Sequence, residues 1–593
     1  MLLRIGLIAL LALTAPARAQ QASDTVAPEA AGAGSLATSA EARASFDAKA
    51  AGRPVEARNW MISAANPLAV DAGAKILRAG GSAADAMVAV QAVLGLVEPQ
   101  SSGLGGGAFL VWYDGASGDM TTLDGRETAP LAATPQLFQD ADGEPLQFFD
   151  AVVGGRSVGT PGIPALLHAA HTRWGRAEWA GLFDDAIALA RDGFTVSPRM
   201  EAMVAGDAER LARHEVTAAY LLPNGAPVNA GDRLTNPAYA DTLRQLADHG
   251  TAPFYTGDIA ADIVNTVRGE TDNPGVLAKV DLAIYAVKER APVCARYRVW
   301  QVCGMGPPSS GALAVGQILG LLEGTDMAAL GPRSPEAWRL IGDASRLAFA
   351  DRGRYVADSD FVPVPTAGLV DPGYLAARAE LLGGDDALPE VSPGTPEFDH
   401  SLNRADDAAI EMPSTSHISI VDQYGNALSM TSSIENAFGS RLMVGGFLLN
   451  NQLTDFSFRS HRDGIPIANR VEPGKRPRSS MAPTIVLKDG KPVLVVGSPG
   501  GSQIIGYVAK TIIAHLDWGM DVQAAVALPH LVNRFGPYEL EIATDALDLA
   551  VPLREMGYET NARPLTSGLH AISIGQTLLG GADPRREGIA IGD

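Results

Sequence analysis

Pro413-Ser414-Thr415-Ser416-His417-Ile418-Ser419-Ile420-Val421-Asp422 joins two kinds of chain. Residues 383–414 lose hydrophobic periodicity and gather Gly, Pro and Asp, the composition of an exposed tether that can be severed without unfolding either side. From Thr415 onward the residues alternate as a strand does. A cut between Ser414 and Thr415 gives one residue both a hydroxyl and a free α-amine. A hydroxyl is a poor nucleophile at neutral pH without a neighbouring base, and an N-terminal amine, with an ordinary pKa of about 7.7–8.0, supplies one without any histidine. A threonine that merely opens a β-strand is the plainer account, and the residues downstream decide between the two.

Beyond Thr415 the pattern predicts strands over 419–421, 427–433, 447–449, 484–487 and 493–496, then helices over 504–516 and 522–528. Upstream, 60–64, 109–113 and 120–123 read as strands. Residues 67–78 and 82–96 carry helical i, i+3, i+4 apolar spacing, the second opened by a Ser82 cap. From 164 to 379 the pattern is mostly helical, with Trp338, Ile341, Ala344, Leu347 and Ala348 near one face of a helix over 334–352. Neither side of the cut offers enough covered sheet alone, so strands from both are expected to share one core. The chain divides into an export signal (1–19), an Ala/Ser/Gly-rich flexible leader (20–57), a large subunit (58–414) ending in the linker at about 383–414, and a small catalytic subunit (415–593).

The export signal rests on Arg4, the apolar run Ile5 to Leu13 and the small-x-small site Ala17-Arg18-Ala19, with Gln20 as the mature start and a periplasmic or secreted destination. That run is too short to span a bilayer, and no other stretch approaches the roughly 18–20 apolar residues that spanning requires. Across 593 residues the formal charge is −21 with no Lys/Arg cluster, which argues against nucleic acid or an anionic membrane as partner. The two cysteines, Cys294 and Cys303, lie on alternating segments around a turn near Arg298 that sets their sulfurs opposite each other. A disulfide is expected, closing a loop worth about 2.7 kcal/mol in the chain-entropy model.

Several longer motifs resemble one family. Glu98-Pro99-Gln100-Ser101-Ser102-Gly103-Leu104-Gly105-Gly106-Gly107 and Asp124-Gly125-Arg126-Glu127-Thr128-Ala129-Pro130 lie before the cut. After it come Gly439-Ser440, Leu449-Asn450-Asn451-Gln452-Leu453-Thr454-Asp455-Phe456, Lys475-Arg476-Pro477-Arg478-Ser479-Ser480-Met481-Ala482-Pro483-Thr484 and Gly497-Ser498-Pro499-Gly500-Gly501-Ser502. Their order and spacing, over roughly 58–590, resemble the γ-glutamyltranspeptidases. The resemblance implies an α+β fold, the four-layer αββα sandwich of the N-terminal nucleophile hydrolases, formed jointly by two autoprocessed fragments as a heterodimer.

It also implies roles. Thr415 is the scission point and nucleophile, and Ser433 corresponds to a hydroxyl residue that hydrogen-bonds it. Gly500 and Gly501, between a strand and a helix, offer backbone N–H groups to a developing oxyanion. A γ-glutamyl donor carries an α-carboxylate and an α-ammonium. Arg126 with Ser479 and Ser480 is assigned to the first, and Asp455, helped by Gln452 and Glu435, to the second. Glu435 stands where some members have asparagine. The segment between Asp455 and Ser479, with Arg459, His461 and Arg462, corresponds to a lid region and is shorter than in lidded bacterial members. His417 is expected to shape the strand rather than act as base. No metal or cofactor is expected; the partners are small γ-glutamyl compounds such as glutathione, with amino acid or dipeptide acceptors.

Other motifs are weaker. Gly155-Arg156-Ser157-Val158-Gly159 fits G-x-S-x-G, but Pro161 and Pro164 obstruct the helix a nucleophile elbow needs. Gly103, Gly105 and Ala108 follow a helix and precede a strand, the reverse of a dinucleotide-binding context. His168 and His171 lack further metal ligands. The competing functions are a glutaryl or cephalosporin acylase of the same superfamily, whose donor lacks the ammonium, and a processed but catalytically silent binding protein.

Overall fold

The strand Ser416–Val421 is third in a seven-stranded antiparallel sheet, between Met61–Ala64 and Ala427–Ser433. Ile589–Gly592 lies beyond Met61–Ala64, and Gly107–Tyr113, Met120–Gly125 and Lys288–Arg290 extend the far side. A second seven-stranded sheet orders Val55–Ala57, Leu578–Ala582, His570–Ile574, Lys491–Gly497, Thr484–Lys488, Trp300–Gly304 and Val293–Tyr297. This computed structural model describes Leu36 and residues 39–593, apart from 401, 402, 408, 410 and 413. The expected export signal and mature start lie outside the described residues.

Strand alternation explains the layering. Ile418 and Ile420 point away from the second sheet, into a core shared with Leu110, Trp112, Leu428 and Met430 and with the helices Pro67–Arg78 and Ala83–Val97. The opposite face sends Met61, Val111, Val421 and Ala427 against Ile485, Val495, Ile572 and Leu578 of the second sheet. That interface also carries hydroxyls: Ser419 Oγ donates to His570 O at 3.0 Å and Ser429 Oγ to Val496 O at 3.2 Å. Outside the second sheet, Val486, Leu494 and Val496 pack on the helices Gly311–Leu321, Pro335–Tyr355 and Ile504–Leu516. The order is therefore helix, sheet, sheet, helix. Both sheets contain strands from both sides of Thr415.

Local chemistry sets the element ends. Asn66 caps Pro67–Arg78, with proline in its first turn where no N–H is needed. Ser82 and Asp85 form a reciprocal capping box that opens Ala83–Val97. Cys294 and Cys303 are directly opposed on Val293–Tyr297 and Trp300–Gly304 and joined by a disulfide; Arg298 adopts positive φ in the turn between them. Among the described residues no helix is long and apolar enough to cross a membrane.

Two segments differ from expectation. The supposed flexible leader 20–57 contains the helix Ala40–Ala50 and the strand Val55–Ala57, which pairs with Leu578–Ala582. Alanine repetition gives that helix no apolar stripe to read; tertiary polar contacts hold it. Ser39 Oγ accepts from Ala42 N at 2.9 Å, and Lys49 Nζ donates to Arg586 O at 2.9 Å and Gly588 O at 2.6 Å. The linker, expected to be an exposed tether, is anchored where it is described. Arg354 clasps Asp406 with bonds of 2.7 and 3.0 Å, Asp407 N donates to Gly353 O at 3.1 Å, and Glu411 is buried.

Because each sheet interleaves strands from both sides of Thr415, a cut before that residue would leave the two pieces bound through ladders and core. The cut protein is expected to migrate as one species in native size exclusion while giving two bands under denaturing conditions. Loss of the small fragment during native gel filtration would contradict this.

Candidate active site

Thr415 sits immediately before its strand, where the pairing of Ser416 with Ser432 sets it beside Ser433 on the neighbouring strand. Its hydroxyl donates to Ser433 Oγ at 3.3 Å, and Ser433 Oγ in turn donates to the carbonyl oxygen of Ser414 at 2.8 Å. Glu435 N donates to Ser433 Oγ at 2.9 Å, fixing that hydroxyl. The bond before Thr415 is pinned on both sides: Ser414 Oγ donates to Gln100 O at 2.5 Å, and Arg586 Nη1 to Thr415 O at 3.1 Å. The Gly-rich loop earlier in the chain makes room for this. A Cβ on Gly106 would lie 2.1 Å from Ser433 O, and one on Gly105 2.1 Å from Leu448 O.

A small pocket of about 10 Å³ opens here, lined by Arg126, Thr415, Ser433, Glu435, Gln452, Asp455, Ser479, Ser480 and Gly501 among the residues singled out in the sequence. Gly500 is next to it, with positive φ and no room for a Cβ, which would lie 2.8 Å from the Tyr507 ring; Gly501 also has positive φ and backs onto the linker at Glu411 and Met412. His417 lies off the pocket, between the sheets, bonded to Thr431 Oγ1 at 2.9 Å and Ser419 Oγ at 3.0 Å. Burial holds it well below the usual histidine pKa, so it is neutral at neutral pH.

The charged wall is paired within itself. Arg126 and Asp455, given to opposite charges of a donor, are paired with each other at 2.5 Å. Arg126 also donates to Pro477 O at 3.2 Å and Arg478 O at 2.8 Å. Asp455 Oδ2 further accepts from Gln452 Nε2 at 2.7 Å, while Asp455 Oδ1 and Gln452 Oε1 are buried without a protein partner. Glu435 accepts from Met412 N at 3.1 Å and from Asn451 Nδ2. Burial raises Asp455 to about 6 against the pull of Arg126; burial and then Asp455 raise Glu435 well above the carboxylate range. Beside them Glu127 is pushed up to about 8, by burial first, with neither oxygen hydrogen-bonded.

Opposite this acidic wall, Ser479 Oγ accepts from Met481 N at 3.1 Å, and Ser480 Oγ donates to Glu411 Oε2 at 2.8 Å while accepting from Arg352 Nη2 at 3.0 Å. Glu411, Met412 and Arg352 were not legible as site residues, because a linker and a helix interior give no local signal. Arg478 stood inside a quoted motif without a role. Asn469 was missed too: it donates to Asp455 O at 2.7 Å and accepts from Arg478 N at 2.9 Å, tying the acidic wall to the basic one.

A family model described as gamma-glutamyltranspeptidase matches residues 69–593. The chain belongs to the γ-glutamyltranspeptidase family. Among its relatives are the glutathione hydrolase proenzymes of Bacillus subtilis (strain 168), 37% identical over 90% of this chain and 92% of the relative, and Escherichia coli (strain K12), 36% identical over 90% and 91%. A solved cephalosporin acylase from Bacillus halodurans superposes with a TM-score of 0.80 at 25% identity, covering 91% of this chain and 97% of that one. The fold is thus the αββα sandwich of the N-terminal nucleophile hydrolases. The competing motifs play other parts in this γ-glutamyltranspeptidase-family chain. Ser157 Oγ donates to Val152 O at 2.6 Å, and His168 and His171 pack on Trp179. Among the described residues no cluster of three or more His, Cys, Asp or Glu is placed to hold a metal ion.

Glu127 carries a pH signature. Its folded pKa lies above the unfolded one, so its contribution to stability is full below about pH 4.5 and is lost as pH rises through about 8. Glu127→Gln removes that titration. The melting temperature of the variant relative to the parent is expected to climb between pH 5 and 9, by the order of a few kcal/mol in stability. A difference that stays flat with pH would refute the buried charge.

Proposed function

We propose that this enzyme cuts itself between Ser414 and Thr415 and then transfers the γ-glutamyl group of glutathione or related amides, through an ester on Thr415, to water or to an amino acid or peptide. The observation that carries this reading is the Thr415–Ser433–Ser414 hydrogen-bond chain, set at the edge of a pocket with acidic residues on one wall and hydroxyls and arginines on the other.

Scission follows from that chain. Thr415 Oγ1 attacks the Ser414 carbonyl carbon as its proton passes to Ser433 Oγ and the Ser433 proton passes on to the carbonyl oxygen, from which it is released as the carbonyl re-forms. The C–N bond breaks, the nitrogen takes up the proton and becomes the Thr415 α-amine, and water hydrolyses the ester, leaving a Ser414 carboxylate. In catalysis the amine accepts the hydroxyl proton as Oγ1 attacks the donor γ-carbonyl. The oxyanion is met by N–H groups at Gly500 and Gly501, and the departing amine leaves with the proton. Water or an acceptor amine then reverses the sequence at the ester. The donor α-ammonium belongs with Asp455 and Gln452, whose unpartnered oxygens are the acceptors a cation needs, beside Glu435, and the α-carboxylate with Ser479, Ser480 and the Arg126 side of the pocket.

The disulfide and the N-terminal signal pattern support export to the periplasm or medium, an oxidising setting. The rival donor is a glutaryl amide, favoured by the likeness to a cephalosporin acylase; it needs the same carboxylate end but no ammonium site.

Two outcomes test the reading. Purified protein should convert to two fragments with Thr415 at the new N-terminus. Thr415→Ala should remain one chain, and Ser433→Ala should cut about a hundredfold or more slowly, followed by denaturing gels; full activity in uncut protein would overturn the mechanism. Asp455→Asn should lower kcat/KM for γ-glutamyl-p-nitroanilide by about ten- to a hundredfold, the worth of a charge-assisted hydrogen bond, and affect glutaryl-p-nitroanilide far less. Equal losses on both would assign Asp455 to the fold, and turnover of the glutaryl compound alone would install the rival.

A further inference from the structure

Arg586, seven residues from the C-terminal end of the chain, reaches the residue at the proposed cut: its Nη1 donates to Thr415 O at 3.1 Å. The arginine is buried, 3% exposed, and its backbone is fixed by distant segments. Lys49 Nζ, from the helix Ala40–Ala50, donates to Arg586 O at 2.9 Å and Gly588 O at 2.6 Å. Arg586 N donates to Asp583 O at 3.3 Å, and the next residue, Glu587, accepts from Asn66 Nδ2 at 3.4 Å and Arg199 N at 3.1 Å. Gly568 leaves the passage that the arginine side chain takes: a Cβ there would lie 2.9 Å from Arg586 Cδ and 2.6 Å from Pro499 Cγ. The strand Ser416–Val421 is already paired on both sides, so the arginine is not what seats it.

Its charge matters as much as its hydrogen bond. At any ψ a carbonyl oxygen lies within about 3.6 Å of the nitrogen of its own residue, so after a cut before Thr415 the guanidinium is within about 7 Å of the new α-amine. A positive charge at that range in a protein interior lowers the pKa of an amine by about one to two. The same charge is felt nearby: His570 is held at about 3 by burial against the pull of Asp583, with Lys49 and Arg586 adding to the lowering. Of the other groups facing Thr415, His417 is neutral through burial, and Glu98 accepts from Ser416 Oγ, one residue further on, at 3.2 Å. Across the pocket Asp455 is paired with Arg126 and Glu411 with Arg352, while burial and then Asp455 keep Glu435 well above the carboxylate range. Behind Arg586, Asp583 is paired with Arg585 at 3.1 Å. Arg586 is the cation bonded to Thr415 itself.

We propose that Arg586 is a positioning residue for the α-amine of Thr415: it holds that residue's carbonyl so that the freed amine stays beside Oγ1, and its charge keeps the amine unprotonated at neutral pH. An amine at the ordinary value of about 7.7–8.0 is mostly protonated at pH 7 and cannot take the hydroxyl proton. One lowered below about 7 is a free base there, and it passes the proton on more readily to the departing amine. The helix Ala40–Ala50 serves the site through the hold of Lys49 on Arg586 O. This rests on scission before Thr415, since only then does the amine exist, and it stands apart from the choice between γ-glutamyl and glutaryl donors.

Denaturing gels and N-terminal sequencing come first: protein that stays one chain has no such amine and overturns this inference together with the scission it rests on. In cut protein, carbamylation of Thr415 by cyanate between pH 5 and 9, read by mass spectrometry of the small fragment against a free peptide, should show the amine titrating below about 7. A value of about 7.7 or higher would overturn the inference and leave scission intact. Removing a positive charge raises the amine's pKa, so the acid limb of kcat/KM, for whichever of γ-glutamyl- and glutaryl-p-nitroanilide is turned over, should move up by about one pH unit or more in Arg586→Gln and by less than about 0.3 in Arg586→Lys. Asp455 titrates in the same range, at about 6, and carbamylation separates the two because it reads the amine itself. A uniform loss of kcat/KM with the limb unmoved, or equal displacement in both variants, would reduce Arg586 to support of the fold. Should Arg586→Gln fail to cut, carbamylation of the parent enzyme still decides.

Discussion

The ladder that seats Ser416–Val421 between Met61–Ala64 and Ala427–Ser433 governs the rest of the molecule, because it fixes where the strand begins. Ser416 faces Ser432, and Ser433 faces Gly107 on the next strand, so Thr415, Ser433 and the Gly-rich loop converge at one sheet end. A slip of one residue would turn Ile418 and Ile420 from the helical core toward the second sheet and carry Ser433 out of reach of Thr415. The apolar burial that enforces the register therefore also aims the hydroxyls. The hydroxyls and imidazole on the inner face of this sheet bond each other and carbonyls of the second sheet, which locks the sheets against sliding.

A second constraint is electrostatic. The site concentrates charge where water is excluded, and it is tolerable only as a network: Arg126 with Asp455, Arg352 and Arg478 with Glu411, and Arg476 and Arg290 with Asp124. Burial works against the Glu411 charge, but Arg352 and Arg478 outweigh it and hold its pKa below the usual carboxylate range. Within the same few side chains, Asp455 moves upward because burial outweighs the pull of Arg126, and Glu435 because burial is joined by repulsion from Asp455. One wall thus favours bound anions and the other is poised to accept a cation. That polarity suits a donor carrying both charges, and in the uncut chain the linker satisfies part of each wall.

Much of the fold was legible. Pro67–Arg78, Ala427–Ser433 and Ile504–Leu516 have the bounds that apolar spacing and caps predict, and the cysteine hairpin follows from alternation around Arg298. The strands His570–Ile574, Leu578–Ala582 and Ile589–Gly592 were not read, since segments of four or five residues, the last two bearing glycine, have weak strand signatures. Gly580 is paired in its strand on both sides, and a Cβ there would lie 2.5 Å from Met61 Sδ and 2.8 Å from Ala590 Cβ, so tertiary packing asks for glycine where strand propensity does not. The helix Ala40–Ala50 escaped for a related reason: its stability comes from caps and a lysine reaching distant carbonyls.

The sequence by itself determined the residue types of the chemistry and their order: a threonine opening a strand after a breakable linker, a second hydroxyl two positions beyond Thr431, paired glycines, and acids and arginines in long motifs. Family membership followed from those motifs because they are local and ungapped. Only the tertiary structure decided which charges meet. Arg126 binds Asp455, and Glu411 of the linker reaches Arg352, fifty-nine positions away, and Arg478 on the far side of the cut. Periodicity and propensity report how each segment buries its own apolar face. The pairing of buried charges depends on which segments the packed sheets and helices bring within a few ångströms, where the cost of desolvation leaves each ion to find a counter-ion from elsewhere in the chain.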